Sequence, residues 1–491
     1  MSKRKEKPMP ISHKVQLMTY PDSLGGNLKT LKQTLDTYLS QAVGLVHILP
    51  FYPSSGDRGF APLTHMEVEP EFGTWEDIKA IAHTYDVQSD LVVGHMSVYS
   101  PEFQDYLKHG LNSKYADMFA ALEKTFPNKT ITLDELTKFD ELTPIPPIIV
   151  FELGDGTKRP HFKTFLPMQA DLDPMSPLTW EYYEKFVKHL SEQGISMIRL
   201  DAVGTIYKHP ELGMNMVPET YEILQKLIDL IHSYDMEVLT EIHSDLETKK
   251  RIVEMGAWTY DFHLPARIFQ AILTRDVTGL EEWYQICPKN QIAVLTNHDG
   301  INVTSEPEYV GSEEAAEVLA GKIIQNAGYS TKAASGLTSQ NVSIHSINAT
   351  LLEACFRDQN QWLMAHVLQL FAPGIPQVYY NDLLAQRNDE ERWHETGEGR
   401  ELVRHNHPES QIDHKFNQPF VQKVIRVMEF RSNYPAFQGS VEVLASDPTE
   451  FHVVWTNTEY KAVLHADMDS WLIKITYYNP DIKEFQTLDL E

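Results

Sequence analysis

The sequence predicts an α/β fold: a closed (β/α)₈ TIM barrel with two insertions in its loops and a small all-β domain at the C-terminal end. Three observations support this prediction. Eight short runs of β-branched and apolar residues recur along the chain, as in buried parallel strands. Helix-like segments such as 179–193 and 218–232 lie between these runs. The length of 491 residues leaves room for one barrel with attachments.

Each strand of the predicted barrel is short. The eight runs are 15–20, 43–51, 90–96, 196–203, 236–243, 258–264, 293–298 and 377–380. Two of the spacings are too long for simple loops and predict insertions after the third and seventh strands, while β-prone runs beyond the barrel predict the C-terminal domain. The predicted boundaries are 1–98, 168–300 and 351–436 for the barrel, 99–167 and 301–350 for the insertions, and 437–491 for the β domain.

The balance of charges excludes several classes of partner. The chain has 42 lysines and arginines against 69 acidic residues, a formal net charge of −27. Such a surface repels phosphate backbones and anionic lipids, so neither nucleic acid nor a membrane is an expected partner. Apolar residues make up 42% of the chain, which is enough to fill a large core, so a globular protein is expected.

The sequence carries no apolar signal core after its basic start, and no run approaches the roughly 20 apolar residues that span a bilayer. Its cysteines, Cys287 and Cys355, show neither disulfide nor metal-site spacing. A cytoplasmic location is therefore expected, with no metal and no cofactor. The β-rich tail allows a homodimer, although nothing else in the sequence supports one.

Acidic residues and histidines follow the ends of several predicted strands. Asp201 and Glu241 lie near the ends of the fourth and fifth runs, Asp299 follows the seventh directly after His298, and His95 lies near the end of the third. Barrel enzymes have their active sites at the carboxyl ends of the strands. One such acid alone is more often a helix cap or a surface charge. Several on one rim favour a single catalytic site, because a buried charge is costly unless it is solvated, paired or used.

This ordered set resembles the motif set of the α-amylase superfamily (glycoside hydrolase family 13). The similarity is closer to the sucrose phosphorylase family, through residues 15–25, 47–60, 371–380 and 399–405, and within it to the sucrose 6-phosphate phosphorylases. The resemblance implies a glycosyltransferase that acts by retaining double displacement without a cofactor. Its expected substrates are sucrose or a related α-glucoside and inorganic phosphate, and its expected product is α-glucose 1-phosphate.

The resemblance also implies roles for individual residues. Retaining cleavage requires two carboxylates about 5 to 5.5 Å apart, which neighbouring strands can supply. Asp201 is the implied nucleophile, Glu241 the acid/base, and Asp299 a stabiliser of the transition state. Arg199 lies two residues before Asp201 on the same strand face and is expected to keep it ionised. The other implied substrate-binding residues are His95, His298, Gln169, His345, and Asp57 paired with Arg404, with Arg400 as a competing partner.

The acceptor half of the expected site departs from the family pattern. Asp140 and Glu141 stand where the family has a phosphate-binding arginine, so Lys138, Lys158, Arg159 or Lys163 would have to supply the charge. Two alternatives to a phosphorylase therefore stay open. The first is a retaining α-glucosidase or transglucosidase. The second is a degenerate glucoside-binding protein, which Gly94, in place of an asparagine, supports weakly. For residues 169–173, capping of the next helix is the simpler role.

Overall fold

A computed structural model describes residues 11–127, 131–139, 147–302, 313–327 and 346–490. Eight parallel strands close a barrel in which each strand pairs with its neighbours in chain order. They are β1 (Gln16–Thr19), β2 (Leu45–Ile48), β3 (Asp86–Val92), β4 (Met197–Asp201), β5 (Glu237–Thr240), β6 (Trp258–Asp261), β7 (Gln291–Val294) and β8 (Ile375–Tyr379). The predicted barrel is confirmed, and each of the eight predicted runs contains or overlaps one of these strands.

The third strand lies earlier in the chain than predicted. It begins at Asp86 rather than at residue 90, because the polar pair Gln88–Ser89 concealed its first half. Both side chains are fully buried, but they point to opposite faces of the strand, with Gln88 in a polar layer inside the barrel. The Gln16 amide on β1 donates a hydrogen bond of 2.8 Å to Gln88, which satisfies part of this polar layer. Strand periodicity cannot identify polar residues that face a barrel interior.

Helices cover the outside of the barrel. Proline stands in the first turn of several, where its missing N–H costs nothing, as at Pro177, Pro218 and Pro419. No described helix is both long and apolar enough to cross a bilayer. The covering helices are Leu28–Thr34, Trp75–Ala82, Pro177–Glu192, Pro218–His232, Leu246–Glu254, Leu264–Thr274, Thr278–Ile286, Gln359–Leu370 and Pro419–Asn433.

The two insertions carry small sheets of their own. The first contains the helix Pro101–His109 and an antiparallel hairpin of Ile148–Glu152 with Lys158–Phe162. The second contains the helix Glu313–Ala327, and the short strands Ile301–Asn302 and Ser346–Ile347 pair across it. The exact boundaries between barrel and insertions stay predictions.

The C-terminal domain is a five-stranded antiparallel sheet in chain order, as predicted. Its strands are β9 (Ser440–Leu444), β10 (Glu450–Asn457), β11 (Tyr460–Asp467), β12 (Leu472–Asn479) and β13 (Glu484–Thr487). Buried and half-buried residues alternate along β10, as expected for a sheet with one face against the core. Trp455 anchors this face, since its indole N–H donates a 2.8 Å hydrogen bond to the carbonyl of Phe371 on the barrel.

Candidate active site

One guanidinium joins the two predicted catalytic carboxylates at the mouth of the barrel. Arg199 Nη1 lies 2.9 Å from Oδ1 of Asp201, and its Nη2 lies 3.1 Å from Oε2 of Glu241. The Arg199 side chain is 1% exposed, whereas the two carboxylates keep 12% and 13% of their surface accessible. β4 ends at Asp201, and Glu241 directly follows the adjacent strand β5. The structure therefore brings the two acids into a single site.

The residue after Asp201 has an unusual backbone conformation. Ala202 has a φ of 45° and a ψ of 31°, in the left-handed region that non-glycine residues rarely adopt. Its N–H donates a 2.8 Å hydrogen bond to Oε2 of Glu241. Glu241 is therefore fixed from two sides, by Arg199 and by the backbone that follows Asp201.

Arg199 is shared with a third carboxylate that the sequence analysis did not assign to the site. Its Nη1 also contacts Oδ1 of Asp90, which is fully buried on β3. Asp90 in turn lies 2.7 Å from Nε2 of His47 on β2. Burial alone would raise the pKa of Asp90, but Arg199 and His47 lower it to about 2. Asp90 is therefore a permanent anion that holds the guanidinium in place.

The expectation that Arg199 keeps Asp201 ionised stays a prediction. Burial raises the pKa of Asp201 well above the usual range, the guanidinium opposes this rise, and the nearby Glu241 carboxylate adds to it. One cation facing three acids cannot neutralise them all. The cluster therefore retains a proton more readily than isolated carboxylates would.

A second charge cluster is formed by two acids and two arginines. Arg400 Nη1 lies 3.1 Å from both Oδ2 of Asp57 and Oδ1 of Asp299. Arg404 lies 3.3 Å from Oδ1 of Asp57 and 3.4 Å from Oδ1 of Asp299. The predicted Asp57–Arg404 pair is thus present, and the competing partner Arg400 is bound to the same acid at the same time.

The two arginines in this cluster differ in accessibility. Arg404 is 2% exposed and also donates through Nε to the carbonyl of His298, at 2.8 Å. Arg400 is 41% exposed and lies at the rim of the site. Burial would raise the pKa of Asp299, yet the positive charges around it hold that pKa below its usual range. Asp299 is therefore ionised at every physiological pH.

The chain is similar to known proteins over most of its length. Residues 11–330 match the model of the α-amylase catalytic domain. The glucosylglycerol phosphorylase of Marinobacter adhaerens is 36% identical over 98% of this chain and 100% of its own. The sucrose 6(F)-phosphate phosphorylase of Thermoanaerobacterium thermosaccharolyticum is 37% identical over 98% and 100%. The chain belongs to the sucrose phosphorylase family of the α-amylase superfamily.

Solved structures agree with this assignment. The crystal structure of sucrose 6F-phosphate phosphorylase from Thermoanaerobacter thermosaccharolyticum superimposes with a TM-score of 0.91 at 36% identity, covering 97% of both chains. Membership of the sucrose phosphorylase family makes the chain a retaining glucoside phosphorylase by class, and so a glycosyltransferase. The family resemblance inferred from the sequence is confirmed.

Two predicted histidines of this sucrose phosphorylase family member contact Phe60, and His298 also lies beside Asp299. His298 Nε2 is 3.4 Å from Oδ2 of Asp299, and its ring stacks on Phe60 with centroids 5.0 Å apart. Its Nδ1 is buried without a hydrogen-bond partner among the described residues. Burial lowers the pKa of His298 to about 3, so the ring is neutral. His95 points Nε2 at the carbonyl of Phe60, at 2.8 Å.

Gln169 contacts the same carbonyl. Its Nε2 donates to Phe60 at 3.0 Å, while its Oε1 accepts a 2.8 Å hydrogen bond from the N–H of Leu166. Both ends of the amide therefore hold loop backbone. The next helix begins at Pro177 with Ser176 as N-cap, so residues 169–173 do not cap it. Asp173 closes a turn instead, by accepting from the N–H of Met175 at 2.9 Å.

Several acceptor-side residues stay untested. His345, Asp140 and Glu141 lie outside the described residues. Two of the proposed replacement cations are engaged elsewhere: Lys138 Nζ donates to the Glu211 carbonyl at 2.8 Å, and Arg159 pairs with Glu123 at 2.5 Å. Lys158 is exposed, whereas Lys163 is buried.

Proposed function

We propose that this enzyme transfers glucose from sucrose or a related α-glucoside to inorganic phosphate, giving α-glucose 1-phosphate. Asp201 is the nucleophile and Glu241 the general acid/base. The observation that carries the proposal is the double contact of Arg199, because it joins two carboxylates from adjacent strands at one barrel mouth. Retaining transfer requires such a pair on either side of one anomeric carbon.

The reaction has two displacements. In the first, Asp201 attacks the anomeric carbon while Glu241 gives its proton to the leaving oxygen, which forms a β-glucosyl-enzyme and releases the acceptor moiety. In the second, a phosphate oxygen attacks the same carbon while Glu241 takes a proton from the phosphate. The bond between the anomeric carbon and Asp201 breaks, which frees the Asp201 carboxylate. Arg199 supports both steps, since it stabilises Asp201 before attack and the Glu241 carboxylate after proton transfer.

The second charge cluster suits the far end of the glucose pocket. Asp57 and Asp299 are held by Arg400 and Arg404 and can accept hydrogen bonds from sugar hydroxyls. Asp299 stays ionised, so its hydrogen bonds strengthen as the ring gains positive charge in the transition state. The orphan Nδ1 of His298 is a further polar atom available to a hydroxyl.

The acceptor moiety is best identified in the synthetic direction. Two relatives of similar identity are named glucosylglycerol phosphorylase and sucrose 6(F)-phosphate phosphorylase, so similarity alone does not identify the acceptor moiety. The enzyme is supplied with α-glucose 1-phosphate and, in separate reactions, fructose, fructose 6-phosphate, glycerol or glycerate. Phosphate release that depends on one acceptor identifies it.

The phosphorolytic direction separates phosphorylase from hydrolase. Each candidate glucoside is incubated with and without phosphate, and glucose 1-phosphate and free glucose are both measured, with Asp201→Asn as the inactive control. Phosphate-dependent glucose 1-phosphate supports the proposal. Phosphate-independent glucose would instead favour an α-glucosidase, and no product from any glucoside would favour a binding protein.

A cytoplasmic setting fits this activity. Cys287 and Cys355 are both free and buried, which suits a reducing compartment. A homodimer remains part of the proposal, and sedimentation analysis of the intact chain tests it.

A further inference from the structure

The C-terminal sheet carries a cluster of metal-ligating side chains that the catalytic proposal does not use. Glu450 and His452 are two residues apart on β10 and therefore point to the same face. His465 on β11 is the direct cross-strand partner of His452. The hairpin thus gathers two imidazoles and a carboxylate from positions too widely spaced to form a recognisable sequence motif.

The geometry of these three side chains is that of ligands around a shared centre. One Glu450 oxygen lies 3.3 Å from Nε2 of His452, and the other lies 3.8 Å from Nε2 of His465. The three ligand atoms all fall within 4.8 Å of one another. Zinc bonds of about 2.0 to 2.2 Å in a tetrahedron place ligand atoms about 3.3 Å apart, so small side-chain movements suffice.

The two imidazole nitrogens face the Glu450 carboxylate at 3.3 and 3.8 Å, but neither contact has the geometry of a hydrogen bond. Nε2 of His452 and Nε2 of His465 are each shielded from water and make no hydrogen bond within the described chain. The rings lie 4.1 Å apart, centroid to centroid. Buried polar atoms are normally satisfied, and one cation would satisfy both nitrogens and the carboxylate together.

We propose that Glu450, His452 and His465 form a surface site for a divalent transition metal, with Zn²⁺ as the favoured ion. Two imidazoles and one carboxylate match the preferences of zinc and leave a fourth position for water. The side chains are 28% to 37% exposed, so the site lies at the surface of the sheet. The bound ion would hold β10 and β11 together far from their turn at Thr458 and Glu459.

Zinc binding to the metal-stripped, full-length protein tests this proposal by competition with a chromophoric chelator. We expect one tight Zn²⁺ per chain, with affinity reduced at least about 10-fold in His452→Ala and in His465→Ala. His83→Ala is the matched control, because His83 is an exposed histidine outside the cluster. A thermal melt in chelator checks that each variant is folded.

A second measurement reports on the ligands directly. Co²⁺ bound to the wild-type chain should give the intense visible absorption of a tetrahedral site, and Glu450→Gln should weaken it. Equal zinc affinity in wild type, both histidine variants and His83→Ala would overturn the proposal, whatever the result for glucoside turnover.

Discussion

The N–H of Ala202 donates a 2.8 Å hydrogen bond to Oε2 of Glu241, so the backbone that follows the proposed nucleophile positions the proposed acid/base. This contact depends on the left-handed conformation of Ala202, with φ at 45°. Glu241 is thereby fixed by this backbone N–H as well as by the Arg199 side chain.

Substitution at Ala202 should separate conformation from chemistry. Ala202→Gly removes the left-handed penalty and should keep kcat/KM within a few-fold of wild type. Ala202→Val adds a β-branched side chain where strain costs about 1 to 3 kcal/mol, so kcat/KM should fall roughly 10-fold or more. Equal activity in both variants would show that the conformation is unimportant.

Glu241→Gln should discriminate between donors by their leaving groups. Transfer from sucrose or another natural glucoside should slow about 10²- to 10⁴-fold, because the leaving oxygen loses its proton donor. Transfer from α-glucosyl fluoride needs no protonation and should slow far less. Steady-state kinetics on the two donors measure the contrast.

Asp201→Asn is the matched control for that experiment. It should abolish transfer from both donors, since a neutral amide cannot form the β-glucosyl-enzyme. If Glu241→Gln slows transfer from both donors equally, Glu241 is not the general acid.

Arg199→Lys should move the acidic limb of the pH–rate profile to higher pH. The guanidinium lowers the pKa of Asp201 against the opposing effect of burial. A lysine ammonium cannot contact Asp90, Asp201 and Glu241 together, so the Asp201 pKa should rise further. Activity is lost as the pH falls through that pKa, and the loss should therefore begin at higher pH.

The kcat/KM profile of Arg199→Lys between pH 4.5 and 8 checks this, with Arg400→Lys as the control. An unchanged acidic limb would mean that Arg199 does not set the ionisation of the nucleophile.

The two arginines of the second cluster should have separable effects. Arg400→Ala should weaken glucoside binding and raise KM about 10-fold, because Arg400 holds Asp57 and Asp299. The Arg400 side chain is 41% exposed, so the Tm should change little. Arg404 is 2% exposed and supports Asp57, Asp299 and the His298 carbonyl. Arg404→Ala should lower both Tm and kcat/KM, because it removes a buried cation that pairs with Asp57 and Asp299. Identical effects of the two substitutions on Tm and KM would contradict the separate roles assigned to Arg400 and Arg404.

The sequence was most informative where one local pattern determined one structural feature. Barrel strands buried on both faces gave apolar runs, and the acids at their ends, Asp201 and Glu241, indicated the proposed catalytic rim before any coordinates. The start of β3 was misplaced because Gln88 and Ser89 are polar although both are fully buried, which no strand pattern signals.

Contacts between residues that are far apart in the sequence were harder to predict. Asp90 and His47 were visible only as members of strands, and the shared Arg199 contact emerges from the register of β3 with β4, in which Asp90 pairs with Arg199. The simultaneous binding of Arg400 and Arg404 to Asp57 depends on the short 3₁₀ segment Gly399–Val403. The sequence indicated Arg400 and Arg404 as alternative partners of Asp57, but it could not show that both arginines bind Asp57 at the same time.

Asp382 should make stability depend on pH. It is 2% exposed, contacts the Thr296 hydroxyl, and accepts a 3.2 Å hydrogen bond from the N–H of Leu351. Burial raises its pKa from 3.8 to about 7. As the pH rises, Asp382 therefore loses its proton in the unfolded chain before it does so in the folded protein. Its contribution to the free energy of unfolding is complete below about pH 4 and is lost as the pH rises to about 7.

Asp382→Asn removes this titration while keeping a side chain that can donate to Thr296. The Tm of the variant relative to wild type should therefore increase by a few degrees between pH 5 and pH 8. This corresponds to a change of about 2 to 4 kcal/mol in the difference between their free energies of unfolding. Thermal melts of both proteins across this range measure it, with the exposed Asp481→Asn as control. A Tm difference that stays constant with pH would place the proton elsewhere, because only a group whose pKa differs between the folded and unfolded chain can change stability with pH.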